Sequence, residues 1–138
     1  MSYKFEKLEV WQLSIEYVDA VYALAEKLPR SEEFNLKSQI IRAATSISLN
    51  VAEGSTGQSD PEQRRFLGMA IRSLIETVAC QHLIARREYF SDKTELRALY
   101  LQSQTLARKL QAFRKSLSGN YTQASESEGD YIIEDDEI

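Results

Sequence analysis

The run from Gln39 to Gly54 constrains the fold of this chain more than any other stretch, because it sets a ladder of polar residues on an otherwise strongly apolar helical pattern. Gln39, Arg42, Ser46, Asn50 and Glu53 recur at steps of three and four, while Leu36, Ile40, Ala44, Ile47 and Val51 form an apolar stripe beside them. Such a ladder is either a solvated surface or a buried network in which every amide, hydroxyl and carboxylate needs a partner, an unmet one costing about 1 to 3 kcal/mol. Ser73 and Glu76 fall on the next helical pattern, where they can face Ser46, Asn50 and Glu53, with Arg42 or Arg72 neutralising a carboxylate. The favoured reading is a structural network of Gln39, Arg42, Ser46, Asn50, Glu53, Ser73 and Glu76 that fixes helix register. A small-molecule pocket is the sharper alternative.

Periodicity predicts four helices. The first spans about Glu9 to Leu28, with Leu8, Trp11, Ile15, Val18, Tyr22 and Ala25 on one stripe and Tyr17, Val21, Leu24 and Leu28 widening it, and Pro29 stops it. The second spans about Leu36 to Ala52 or Glu53 and closes at Gly54, which suits a left-handed C-terminal cap. Asp60-Pro61-Glu62-Gln63 reads as an N-cap followed by proline at the first helical position, opening a third helix that reaches about Arg87. Asp92 with Glu95 opens the fourth, whose Leu96, Leu99, Ser103, Leu106, Leu110, Phe113 and Leu117 form a packing seam. Two prolines and five glycines in 138 residues favour such long helices. Short loops place sequential helices side by side, so the predicted fold is all-α, an antiparallel up-down-up-down four-helix bundle over residues 1–117.

Charge divides the chain in two. Residues 118–138 hold seven acidic residues and no basic one, so the bundle carries all 17 Lys and Arg against 14 of the 21 acidic residues, a surplus of three positive charges. The composition of 118–138 predicts a disordered acidic tail, with Tyr131, Ile132 and Ile133 as an apolar triplet set among carboxylates for docking to a partner. A solubilising tail, or one that folds back over basic residues of the bundle, are the other readings. Arg86, Arg87, Lys93, Arg97, Arg108, Lys109, Arg114 and Lys115 gather late in the bundle sequence, and can contact RNA or single-stranded DNA or simply line a solvated helix face.

Catalytic chemistry finds little support. Cys80 and His82 are two apart on one predicted helix, hence about 200° apart around it, and cannot form a local dyad. Glu76 is followed at the third position by Ala79 rather than histidine, and Gly54-Ser55-Thr56-Gly57 lacks the lysine of a phosphate-binding loop. The expectation is a protein that is not an enzyme, without metal or cofactor. A single cysteine, an N-terminus without an apolar h-region and the absence of any apolar run of membrane-spanning length predict a cytoplasmic protein without membrane partners.

Phe5-x-x-Leu8-x-Val10-Trp11, Leu28-Pro29, Phe34-x-Leu36-x-x-Gln39-Ile40, Ser46-Ile47-x-x-Asn50-Val51-Ala52-Glu53-Gly54 and Phe66-Leu67-x-x-Ala70-x-x-Ser73-Leu74-x-Glu76 together resemble the 23S rRNA-intervening sequence protein family. The resemblance covers roughly residues 5 to 117. It implies a homopentameric ring of four-helix bundles without established enzyme activity. A more distant similarity, to the basic accessory variability protein of diversity-generating retroelements, implies contact with nucleic acid and with a reverse transcriptase. The resulting expectation is a homo-oligomeric binding or scaffold module, the alternative being a nucleic-acid-binding accessory factor of a reverse transcriptase or other mobile-element enzyme. Apolar excess on the first helix, with Phe5, Trp11, Tyr17 and Tyr22, predicts that part of it lies between subunits.

Overall fold

A computed structural model describes residues 2–57 and 59–117; the acidic tail, including Tyr131, Ile132 and Ile133, lies outside the described residues. Four helices, α1 (Glu9–Ala25), α2 (Leu36–Gly54), α3 (Asp60–Arg87) and α4 (Thr94–Ser116), form a bundle, and no strand occurs among the described residues. Short 3-10 turns at Lys4–Lys7 and Arg30–Glu32 precede α1 and α2.

Ion pairs and close contacts fix the relative directions of neighbouring helices. Lys27, just past α1, meets Glu95 at the start of α4 at 3.0 Å, whereas Glu9 at the start of α1 meets Lys109 near the end of α4 at 3.1 Å. α1 and α4 therefore run in opposite directions. Ser46 touches Ser73 while Gly54 touches Phe66, so α2 and α3 also oppose one another. The core between them is built from long aliphatic side chains, among them Leu24, Ile40, Ile47, Leu67, Ile71, Leu74, Leu106 and Leu110, all buried. Removing such surfaces from water is the main stabilising contribution, about 1.5 to 3 kcal/mol per large side chain before entropy is counted.

Three local expectations are corrected. On α1 the inward stripe is Val10, Ser14, Tyr17, Val21 and Leu24, while Trp11, Ile15 and Val18 are half-buried and Tyr22 is exposed. Ser14 hides this stripe from a hydropathy reading. It is tolerated inside because its hydroxyl donates to the Trp11 carbonyl at 2.6 Å. Helix α3 is capped one residue earlier than expected: Ser59 Oγ accepts from the Glu62 amide at 3.2 Å, and Asp60 is already helical.

Gly54 is likewise helical rather than left-handed; Gly57, with φ of 85°, takes that conformation in the following loop. Gly54 is required by close packing instead, because a Cβ there would stand 2.8 Å from the Cβ of Phe66.

Candidate functional site

The polar ladder of α2 divides in the folded chain. Ser46, Asn50 and Ser73 come together half-buried, Asn50 Nδ2 donating to the Ser46 carbonyl at 2.9 Å and its hydroxyl at 3.0 Å, and Ser73 Oγ donating to Ser46 Oγ at 3.0 Å. Gln39, Arg42, Glu53 and Glu76 are exposed on the single chain, and Gln39 bonds only locally, to Asn35 Oδ1 at 2.8 Å. A buried seven-residue network is thus not formed within one chain. The ladder lies along the edge of the buried stripe, where long charged side chains reach water at little cost and the short hydroxyls and amide pair with one another.

Next to the ladder, on the outward side of α2, Ser38, Ile41, Thr45, Ser48, Leu49 and Ala52 form a continuous surface without a charged residue. Leu49 is 59% exposed, and Phe34, in the turn before the helix, is 95% exposed. An open groove of about 440 Å³ runs between Phe34, Lys37, Ile41, Arg42 and Thr45. A solvated helix normally turns a charged face outward; this one presents small and apolar groups instead.

The buried polar network that does exist lies elsewhere. Tyr17 of α1 is enclosed between Thr77 and Gln81 of α3, its hydroxyl within 2.7 Å of both. The Thr77 hydroxyl donates onward to the Leu74 carbonyl at 2.6 Å. Burial pushes the phenol far above its ordinary pKa, outweighing the two hydrogen bonds that lower it. Thr77 and Gln81 went unnoticed in the sequence because a single polar residue on an apolar stripe carries no partner information. Their spacing of four on one helix face was the available signal.

At the opposite end of the molecule from the α2–α3 loop, Glu32 is buried. It accepts from the Tyr89 hydroxyl at 2.5 Å, Asn35 Nδ2 at 3.1 Å and the Leu36 amide at 3.4 Å. The Tyr89 hydrogen bond holds this carboxyl below its usual range, and the same bond raises the phenol.

The basic residues do not gather into one patch. Arg86, Arg87 and Arg97 are exposed and Lys93 half-buried where α3 gives way to α4, whereas Arg108, Lys109 and Lys115 are exposed toward the far end of α4. Arg114 is buried there, against Gly68 and beside Arg64, whose guanidinium donates to the Arg114 carbonyl. Cys80 is buried, which raises its thiol pKa, and His82 is exposed, its ring centroid 5.9 Å from that of Tyr100 in an edge-to-face arrangement. No group of His, Cys, Asp and Glu among the described residues could hold a metal ion. No described helix is long and apolar enough to cross a membrane.

Comparison with known proteins agrees with this architecture. A family model described as 23S rRNA-intervening sequence protein matches residues 6–112. A crystal structure of a protein of unknown function from the S23 ribosomal protein family of Bacteroides thetaiotaomicron superposes with a TM-score of 0.70 at 26% identity, covering 77% of this chain and 98% of that one. No curated protein matches the sequence.

Proposed function

The chain belongs to the 23S rRNA-intervening sequence protein family, and from that premise we propose that it is a non-enzymatic, homo-oligomeric binding or scaffold module whose subunits associate through the outer face of α2. The uncharged surface from Ser38 to Ala52, flanked by the exposed Phe34 and Leu49, carries this reading. Covering it removes apolar area from water without desolvating a charge, the condition a stable subunit contact needs. Small side chains at Ser38, Thr45, Ser48 and Ala52 let a neighbouring backbone approach closely. The polar Ser46–Asn50–Ser73 chain and the charged edge of Arg42 and Glu53 then supply a rim that sets the orientation of the neighbour.

A ring of five subunits is the arrangement that the family resemblance implies, and a reducing cytoplasm suits a buried, unbridged Cys80. Light scattering tests the reading. The full-length protein should give a multiple of 15.8 kDa, while Thr45→Arg and Leu49→Asp, at surface positions of the single chain, should lower the mass without loss of helicity. A monomeric parent protein refutes it.

The second reading, an accessory factor that contacts RNA or single-stranded DNA and a reverse transcriptase, draws on the exposed Arg86, Arg87 and Arg97 at one end of the bundle. Its signature is affinity that falls steeply with salt and drops when these three are replaced by glutamine.

A further inference from the structure

A second apolar concavity lies at the end of the bundle where α2 stops, α3 starts and α4 leaves off. This groove, of about 550 Å³, opens between the first 3-10 turn and the C-terminal end of α2, walled by Tyr3, Phe5, Ala52 and Thr56, with Lys4 on one side and Glu53 on the other. Tyr3 is 72% exposed at its rim, stacked at 6.2 Å on Phe5, whose other edge rests against Trp11. Two stacked aromatic rings beside an open apolar groove are costly to leave in water.

The chain itself continues from this end. Arg64, in the first turns of α3, donates to the carbonyls of Arg114 and Leu117, so the end of α4 and the residue that follows it stand beside the start of α3. Beyond Leu117 the sequence continues through polar residues to Tyr131-Ile132-Ile133, followed at once by Glu134-Asp135-Asp136-Glu137. Thirteen residues lie between Leu117 and Tyr131, an extended reach on the order of 45 Å. A bundle two helices wide measures only about 20 Å across, so every point on this end is within range.

We propose that Tyr131, Ile132 and Ile133 dock in cis into the groove beside Tyr3 and Phe5, with the carboxylates of 134–137 over Lys4 and Lys7. The order of chemistry matches on both sides: an apolar triplet followed by four acids faces an apolar groove lined by Lys4, with Lys7 in the same 3-10 turn. Lys4 and Lys7 are exposed and make no ion pair with a described residue. Glu53, on the opposite wall, repels the acidic run and so selects the direction in which the segment lies. The contact meets the outer α2 face only at its C-terminal end, at Ala52 and Glu53. It makes the tail a built-in occupant that any partner for this end of the bundle must displace.

Carbodiimide cross-linking of the full-length protein, mixed as nitrogen-14 and nitrogen-15 chains, tests this, since the reagent joins carboxylates to amines already in contact. Same-isotope peptides linking Lys4 or Lys7 to 134–137 are expected, in excess over links to Lys27 and Lys93 at the other end. In Ile132→Asp/Ile133→Asp their yield should fall at least about tenfold, although that variant has more carboxylates. Mixed-isotope links, equal links to lysines at both ends, or unchanged yield in the double variant each overturn docking in cis. The oligomer mass measured on the same sample reports separately on the α2 face.

Discussion

The side-chain amide of Gln81 donates to the hydroxyl of Tyr17 across 2.7 Å, joining α1 to α3 through two residues 64 apart in sequence and both fully buried. The phenol can accept this bond, donate to Thr77 and so let Thr77 donate to the Leu74 carbonyl, a single consistent direction along the chain. Only Gln81 Oε1 is left without a hydrogen-bond partner in this cluster.

Removing the phenolic oxygen therefore strands the Gln81 amide donor and takes from Thr77 the bond it accepts, while Thr77 keeps its own donation to the Leu74 carbonyl. Tyr17→Phe should lower stability by about 1 to 3 kcal/mol, the cost of leaving a buried donor unmet. Gln81→Leu, which also deletes the unpartnered oxygen, should cost less. Chemical denaturation of the two single variants and the double variant decides the matter; a Tyr17→Phe protein as stable as the parent contradicts the network.

The tie between Glu32 and Tyr89 predicts a window of pH. Glu32 has a folded pKa below its unfolded value, so its contribution is present above the unfolded value, about 4.3, and is lost as pH falls through the folded one. Tyr89 is shifted upward, so its contribution is present below about 10 and is lost as pH rises through the folded value. Melting temperature should be highest between these limits. Tyr89→Phe should reduce it by a few degrees there and less in acid, where the carboxyl is protonated in both proteins. A pH-independent difference between the two melting curves excludes the tie.

Gly54→Ala should destabilise the protein even though alanine is the better helix former by about 1 kcal/mol. The new Cβ meets the stem of Phe66 rather than a movable tip, so the helices must separate, at a cost of about 1 to 3 kcal/mol. Phe66→Gly, which removes the opposing Cβ itself, should recover part of the steric loss in the Gly54→Ala background. Were the two effects simply additive, the steric account would fail.

On the ladder, Asn50→Ala removes a side chain bonded to Ser46 and should cost about 1 kcal/mol. Glu53→Ala alters an exposed position and should change the stability of the single chain by no more than about 0.5 kcal/mol. Thermal melts at several protein concentrations separate these effects from any on association, because only the latter depend on concentration.

Helix number and approximate extent were legible in the sequence because spacing by three and four is a local property, written in each segment by itself. Leu36, Ile40, Ala44, Ile47 and Val51 announce the buried side of α2 without reference to any other part of the chain, and all five are buried. The ends were less legible. Ser59 and Asp60 are both good caps, and Gly54 reads the same whether it serves a left-handed turn or a close approach; backbone geometry and the position of Phe66 decide between them.

What only the tertiary structure decided was which polar residues meet. Periodicity gives each side chain an angle around its own helix, but whether that angle faces core, edge or water depends on how neighbouring helices are rotated. That rotation placed Glu53 and Glu76 in solvent, Ser46 against Ser73, and Tyr17 between Thr77 and Gln81. It likewise buried Glu32 under the hydroxyl of Tyr89, a contact between residues 57 apart. The sequence by itself determined that α2 has an apolar side and a polar ladder; packing of α3 against it determined which part of that ladder pairs inside the chain and which uncharged face remains open.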